Sequence, residues 1–396
     1  MKYLILSDLH IGDGSAKDDF YYDEEFVDLL DGFREKETVL IMNGDILELV
    51  EAQRVKDHGM IPFFELIEVL EPEVVDDIVR NHEKVFSSLR DFSRKNRIIY
   101  IVGNHDYYLL KSQKLQDRLK EYLGDVEIRP YYYVEELGTL IIHGNQFDVL
   151  NRFIRDKKTG GLVPPLGDFI VRYMMVYFEE HIEEFVPRNV IRDYDNVRPL
   201  LDVFNWFEHV TELYNLGEDL LELWIKNFLE LMKCATAKYW LKKNYPFLRF
   251  MSKLFLNRMG GMKLGEMLVR LAMEIRSWRR TNYLLRVAKK VLMGKKKLEK
   301  EDFCGYEDKV NPLDVEIRGF VMGHIHHSEL EIFHVNGQHK FYLNTGTWRP
   351  VVERLRSVKR GFQKKAELSF AVLSKNGKNV DISLHTTNKL EEISVS

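Results

Sequence analysis

The chain has 396 residues, 45% of them hydrophobic and 30% charged, with a formal net charge of −4. That is the make-up of a folded globular protein, long enough for one large domain with an insertion or for two domains. No apolar run approaches the roughly 18 residues of a membrane span, and Cys234 and Cys304 have neither disulfide nor zinc spacing, so membrane-spanning and cysteine-framework classes are excluded.

Lys2 to Leu6 reads as a buried strand that ends in Ser7-Asp8-Leu9-His10 and a glycine-containing loop through Gly14. A helix follows, with Phe26, Leu29, Leu30 and Phe33 on one face. Val39 to Met42 predicts the second strand, ending in Asn43-Gly44-Asp45. A mostly helical stretch from about Pro62 to Lys95 leads into the third strand, Ile98 to Val102, which ends in Gly103-Asn104-His105-Asp106. A helix near Leu115 to Leu123 and short strands around Val126 to Val134 precede Leu140-Ile141-Ile142, which ends in His143-Gly144. The loop from Thr159 to Pro165, rich in Gly and Pro, marks a boundary. From roughly Leu166 to Met293 the periodicity is helical, as in Trp206, Val210, Leu213, Leu220 and Trp224. Strands then return: Phe320-Val321-Met322 ends in Gly323-His324-Ile325-His326, and Asn336-Gly337 and Asn376-Gly377 read as tight hairpin turns. The pattern predicts an α/β core, residues 1–150 and 316–396, with its last strand ending near Leu384. A helical insertion at 151–315 interrupts it.

Five apolar strands thus end in polar residues: Asp8 and His10, Asp45, Asn104 to Asp106, His143, and His324 with His326. Open α/β sheets bind ligands beyond the carboxyl ends of their strands, so the five ends can share one crevice. The pooled donors are carboxylates, imidazoles and one amide, without thiolate. That set suits Mn²⁺, with Fe or Zn²⁺ as alternatives. It is too large for a single metal that must keep an open position, and two divalent ions sharing a carboxylate account for it.

In this order the motifs Asp8-x-His10, Gly44-Asp45, Gly103-Asn104-His105-Asp106, His143-Gly144 and Gly323-His324-x-His326 resemble those of the calcineurin-like metallophosphoesterase superfamily. The resemblance covers about residues 1–150 and 316–396. It implies a sandwich of two mixed β-sheets flanked by helices, here carrying a large all-helical insertion. It further implies that Asp8, His10 and His326 bind one metal, that Asn104, His143 and His324 bind the second, and that Asp45 bridges them. Two such ions, about 3.5–4 Å apart, activate a water as hydroxide and clamp the attacking and leaving oxygens of an in-line displacement. His105, not needed as a ligand, is then free to act as general acid, and Asp106 to hold its tautomer. Glu48, three residues after Asp45, reads as a supporting residue, as do Asn145 and Asp148.

The implied activity is hydrolysis of a phosphate ester or pyrophosphate. Asp45 is followed by Ile46-Leu47-Glu48-Leu49, which lacks the Gly-Asp-x-x-Asp-Arg-Gly arrangement of phosphoprotein phosphatases. The start of the chain and an insert between the His143 and His324 motifs resemble the UDP-2,3-diacylglucosamine hydrolases, although the insert is much larger and position 105 is His where that family commonly has Arg. The insert bears on the partner. From Lys233 to Lys300 nineteen basic residues face only Glu266, Glu274 and Glu299, interleaved with aromatics such as Tyr239, Trp240, Phe250 and Trp278. This composition suits nucleic acid, an anionic lipid surface met by an amphipathic helix at Leu264–Val291, or a helical bundle with a solvated charged face. A DNA-processing nuclease, a membrane-surface pyrophosphatase of the diacylglucosamine type and a non-catalytic scaffold retaining the fold therefore stand as alternatives. The expected location is cytoplasmic, with peripheral membrane contact as an option.

Overall fold

A computed structural model of the chain describes residues 1–244, 283–309, 315–356 and 361–395. It divides into two compact units, one of Met1–Pro164, Leu284–Arg349 and Ala366–Lys389, the other of Pro165–Tyr283, Pro350–Lys365 and Leu390–Ser396. The strands in chain order are β1 (Lys2–Leu6), β2 (Thr38–Asn43), β3 (Arg97–Ile101), β4 (Val126–Arg129), β5 (Tyr132–Val134), β6 (Thr139–Ile141), β7 (Ile154–Arg155), β8 (Leu162–Val163), β9 (Val197–Arg198), β10 (Gly319–Met322), β11 (Ser328–Val335), β12 (Gln338–Thr345), β13 (Val351–Arg354), β14 (Gly361–Asn376) and β15 (Asn379–Val395).

The first unit holds two mixed sheets. In one, β4, β3, β2 and β1 are parallel neighbours and β14 lies antiparallel beside β1. In the other the order is β11-β12-β10-β6-β5, with β10 parallel to both β12 and β6. The parallel strands read Tyr-Leu-Ile-Leu, Val-Leu-Ile-Met and Ile-Ile-Tyr-Ile because both of their faces are buried. Alternate residues Tyr3, Ile5, Val39, Ile41, Ile99 and Ile101 meet Val134, Ile141, Val321, Phe341 and Leu343 of the second sheet in one core. Each such side chain stabilises the fold by about 1.5–3 kcal/mol. On their other face β1, β2 and β3 bury Leu4, Leu40, Ile98 and Tyr100, and helices Asp23–Arg34 and Glu83–Ser93, which pack on each other, bury Phe26, Leu30, Phe86, Leu89 and Phe92. This is the two-sheet α/β architecture expected.

The helical stretch before β3 is three helices, Phe63–Val69, Glu73–Asn81 and Glu83–Ser93. Pro72 starts the second, and His82, at φ −120° and ψ 42°, separates it from the third. The Asn336-Gly337 turn is a tight hairpin with both residues at positive φ, 51° and 78°, between β11 and β12. β15 runs to Val395, past the expected end near Leu384.

The second unit is built on helices Leu166–Met174, Arg188–Asp193, Val203–Leu213, Leu220–Lys233 and Ala235–Asn244, with Phe178, Phe204, Phe207 and Trp224 buried. It is not all helical. β9 pairs with β13, and β13 with the first residues of β14, up to Lys365. Residues 350–365 thus belong to this unit and do not complete the core. Conversely, the β7–β8 hairpin and the helix Tyr283–Leu292 from Leu284 onward count with the first unit. That helix buries Leu284, Val287, Ala288, Val291 and Leu292, so its apolar face is covered. The rest of the amphipathic stretch from Leu264, and most of the basic aromatic segment, lie outside the described residues.

Candidate metal centre

Strand carboxyl ends bring the predicted residues together through unusual backbone. Asp8, His10, Asp45, His324 and His326 take positive φ values of 54°, 52°, 52°, 73° and 56°. Among the described residues the other non-glycine cases are Asn215 and Asn336, of a type that tolerates this conformation. An aspartate or histidine held there costs of order 1–2 kcal/mol, which the surroundings must offset. The Asp8 amide donates to Gly44 O at 3.0 Å, and the His10 amide to Asp45 O at 3.0 Å. The Asp8 carbonyl accepts from the Trp348 amide at 3.0 Å and Thr347 Oγ1 at 2.9 Å. The His324 amide donates to the Asp8 carboxylate at 3.0 Å. Close approach of the strand ends needs glycine at two places: a Cβ at Gly103 would collide with the Asp45 carboxylate, and one at Gly323 with that of Asp8.

Three donor groups result, one of them His10, Glu48 and His105. Asp8, His10 and His326 offer ligand atoms that lie within 4.8 Å of one another, and so do Asp45, His143 and His324. Asn104 follows Gly103, and its Oδ1 is buried with no hydrogen-bond partner. His10 Nε2 and His143 Nε2 are likewise buried and unpartnered. His143 Nε2 lies 3.0 Å from Asp45 Oδ2 without hydrogen-bonding geometry, and His326 Nε2 lies 3.3 Å from Asp8 Oδ1. Each orphaned polar atom costs about 1–3 kcal/mol in a dry site. Convergent nitrogen and oxygen donors left without protein partners are what divalent cations require, so these residues fit them.

In His143 and His10 the other ring nitrogen is occupied, which aims Nε2. His143 Nδ1 donates to Asn43 O at 2.9 Å, and His10 Nδ1 bonds Glu48 Oε2 at 2.7 Å. Asp148 Oδ2 sits 3.2 Å from His324 Nε2. Burial opposes ionisation of Asp45, but the charges of His143 and His105 outweigh it and hold its carboxyl well below the usual range. Asp8 is likewise lowered by His143 and His326 against burial. Burial lowers the His143 imidazole, yet Asp45 and Asp8 raise it to about 9. The carboxylates therefore stay ionised, as cation ligands must.

His105 lies among these groups, with its amide donating to Asp45 Oδ1 at 2.8 Å. Glu48, rather than the expected Asp106, orients the His105 ring. Glu48 Oε1 bonds His105 Nδ1 at 2.8 Å, so one carboxylate fixes the tautomers of both His10 and His105. Asp106 instead accepts from the Ile46 amide at 2.9 Å, the Tyr100 hydroxyl at 2.7 Å and the Gly103 amide at 2.5 Å. It clamps the ends of β2 and β3 together, and burial with the Asp45 charge pushes its carboxyl up to about 6. Sequence reasoning missed Tyr100, whose hydroxyl is the one buried polar side-chain group of β3. Asn344 to Trp348 brace the site: Asn344 Nδ2 donates to Gly323 O at 2.7 Å, and Ser7 Oγ lies 2.7 Å from Thr345 Oγ1.

A family model, calcineurin-like phosphoesterase, matches residues 1–219, over half of the chain. The chain belongs to this family. No curated protein matches it. The matched span carries every strand-end donor from Asp8 to His143, whereas His324 and His326 join the centre through the fold. Calcineurin-like phosphoesterases are metal-dependent phosphoric ester hydrolases, and this chain is an enzyme of that class. Among the described residues no helix is long and apolar enough to cross a membrane.

Proposed function

We propose that the protein hydrolyses a phosphate ester or pyrophosphate at a two-metal centre. Asp8, His10 and His326 hold one divalent ion, Asn104, His143 and His324 the other, and Asp45 belongs to both. The observation that carries this reading is the pair of donor groups in which buried His10 Nε2 and Asn104 Oδ1 have no hydrogen-bond partner and His143 Nε2 faces Asp45 Oδ2 at 3.0 Å. Manganese suits the oxygen and nitrogen donors best. When bound, the ions supply activated water and charge neutralisation at the phosphoryl group.

The residues supply the rest. Glu48 and Asp45 outweigh burial and raise the His105 imidazole to about 10, so it carries a proton. With Nδ1 held by Glu48, His105 presents Nε2–H to the leaving oxygen. His105→Ala is expected to lower kcat by about 10²–10⁴ on alkyl phosphates, and far less on aryl phosphates whose leaving group needs no proton. Asp45→Asn and His143→Ala should abolish both activities and lower the bound manganese. A panel of monoesters, diesters, nucleotides, UDP-sugars and DNA, run with metal-loaded protein, tests the reading. A fully loaded protein inert on every member would support the scaffold reading instead.

A further inference from the structure

The loop after His143 carries an arginine to which the proposed hydrolysis assigns no role. Arg152 is partly buried, and its Nε is enclosed with no hydrogen-bond acceptor. The neighbouring residues fix where it sits. Asn151 is tied to the carboxylate that contacts His324: its Nδ2 donates to Asp148 Oδ2 at 3.1 Å, the atom that lies 3.2 Å from His324 Nε2. Asn145 Nδ2 holds the Asn151 carbonyl at 3.3 Å. On the other side Phe153 packs on Tyr107 with ring centroids 4.2 Å apart, and Tyr107 follows His105-Asp106 directly. Arg152 therefore lies in a loop pinned at both neighbours, on one side through Asp148 to His324 and on the other against Tyr107.

A guanidinium N–H enclosed without an acceptor is costly unless a ligand completes it. Its planar fork matches phosphate oxygens, and a phosphoryl group presents more oxygens than the metals alone engage. We infer that Arg152 binds a phosphate oxygen of the substrate and so positions it for attack. This inference rests on the phosphoesterase reading of the same site.

The test uses inorganic phosphate as probe, with calorimetry on manganese-loaded full-length protein alongside hydrolysis of an aryl phosphate. Arg152→Ala and Arg152→Gln are expected to weaken phosphate binding at least about tenfold, and to raise KM in step, with bound manganese unchanged. Arg152→Lys should recover part of the loss. Added guanidinium ion should restore activity to Arg152→Ala and leave the native protein unaffected, a rescue that a merely structural arginine would not give. Phosphate binding within twofold of native in both variants, or no measurable binding to the native protein, would overturn the inference. Failure of the phosphoesterase reading looks different: the native protein then hydrolyses nothing, while phosphate binding still depends on Arg152.

Discussion

Glu48 stands between two imidazoles with different tasks. As a carboxylate it accepts from Nδ1 of both His10 and His105, leaving each Nε2 directed inward. An amide cannot do this, because one of its two ends donates. Glu48→Gln should therefore force one imidazole into the opposite tautomer, at little cost in volume. The expected result is a 10–100-fold weaker manganese affinity together with a lower kcat, read by metal titration and hydrolysis. Glu48→Asp keeps the charge but shortens the reach, and should fall between the two. At this scale the sequence was informative about which residues gather and silent about who orients whom. Asp106 lies beside His105 in the chain, yet its side chain reaches back to Ile46, Tyr100 and Gly103. Adjacency in sequence says little about direction at a strand end, where the chain turns sharply.

At the scale of elements, the loop between β1 and its following helix is fastened by buried charge. Asp18 accepts from the Gly14 amide at 2.8 Å and from Asn81 Nδ2 at 2.8 Å, and His82 lies 3.0 Å from both Asp18 and Asp23. Arg349 binds Asp19 at 2.6 Å and Glu51 at 3.0 Å. Burial lowers the His82 imidazole, but the bonds from Asp18 and Asp23 outweigh it and raise it to about 9. A folded-state value above the unfolded one of about 6.5 means that the protonated form favours folding. This contribution is present in full below about pH 6.5 and is lost as pH rises through about 9, by roughly 3 kcal/mol. Urea denaturation at pH 6, 7.5 and 9 should show that decline, and His82→Gln, less stable throughout, should remove that part of the pH dependence. The strands and their ends were legible because apolar runs bounded by Gly, Asn and Asp admit few other readings. The breaks at Pro72 and His82 were harder to place, since the helical periodicity continues across them.

For the whole molecule, the ligands' left-handed backbones and orphaned donors set a cost that bound ions would offset. A ligand at a hundred times its dissociation constant stabilises by about 2.7 kcal/mol. Chelation should accordingly lower the melting temperature by several degrees, and manganese should restore it, as followed by calorimetry. If the same treatment leaves Asp45→Asn unmoved, the effect belongs to this centre. The α/β core could be anticipated from periodicity and its two sheets from the family resemblance, but the division into units could not. Residues 350–365 join the second unit through pairing of β13 with β9, about 150 residues earlier in the chain. Such long-range pairing leaves no local trace in composition.

The order of the donors along the chain has a consequence for biosynthesis. A nascent chain that has emerged through His143 carries Asp8, His10, Asp45, Asn104 and His143, five of the seven donors. Each donor group is then one histidine short, because His326 and His324 come from the loop after β10. The interior strand β1 also waits for its second neighbour, since β14 begins only at Gly361. On the two-metal reading neither cation would be held by its full set until the chain had emerged through His326, so metal loading would follow synthesis of β10, and a product terminated before that strand would be left without a finished centre.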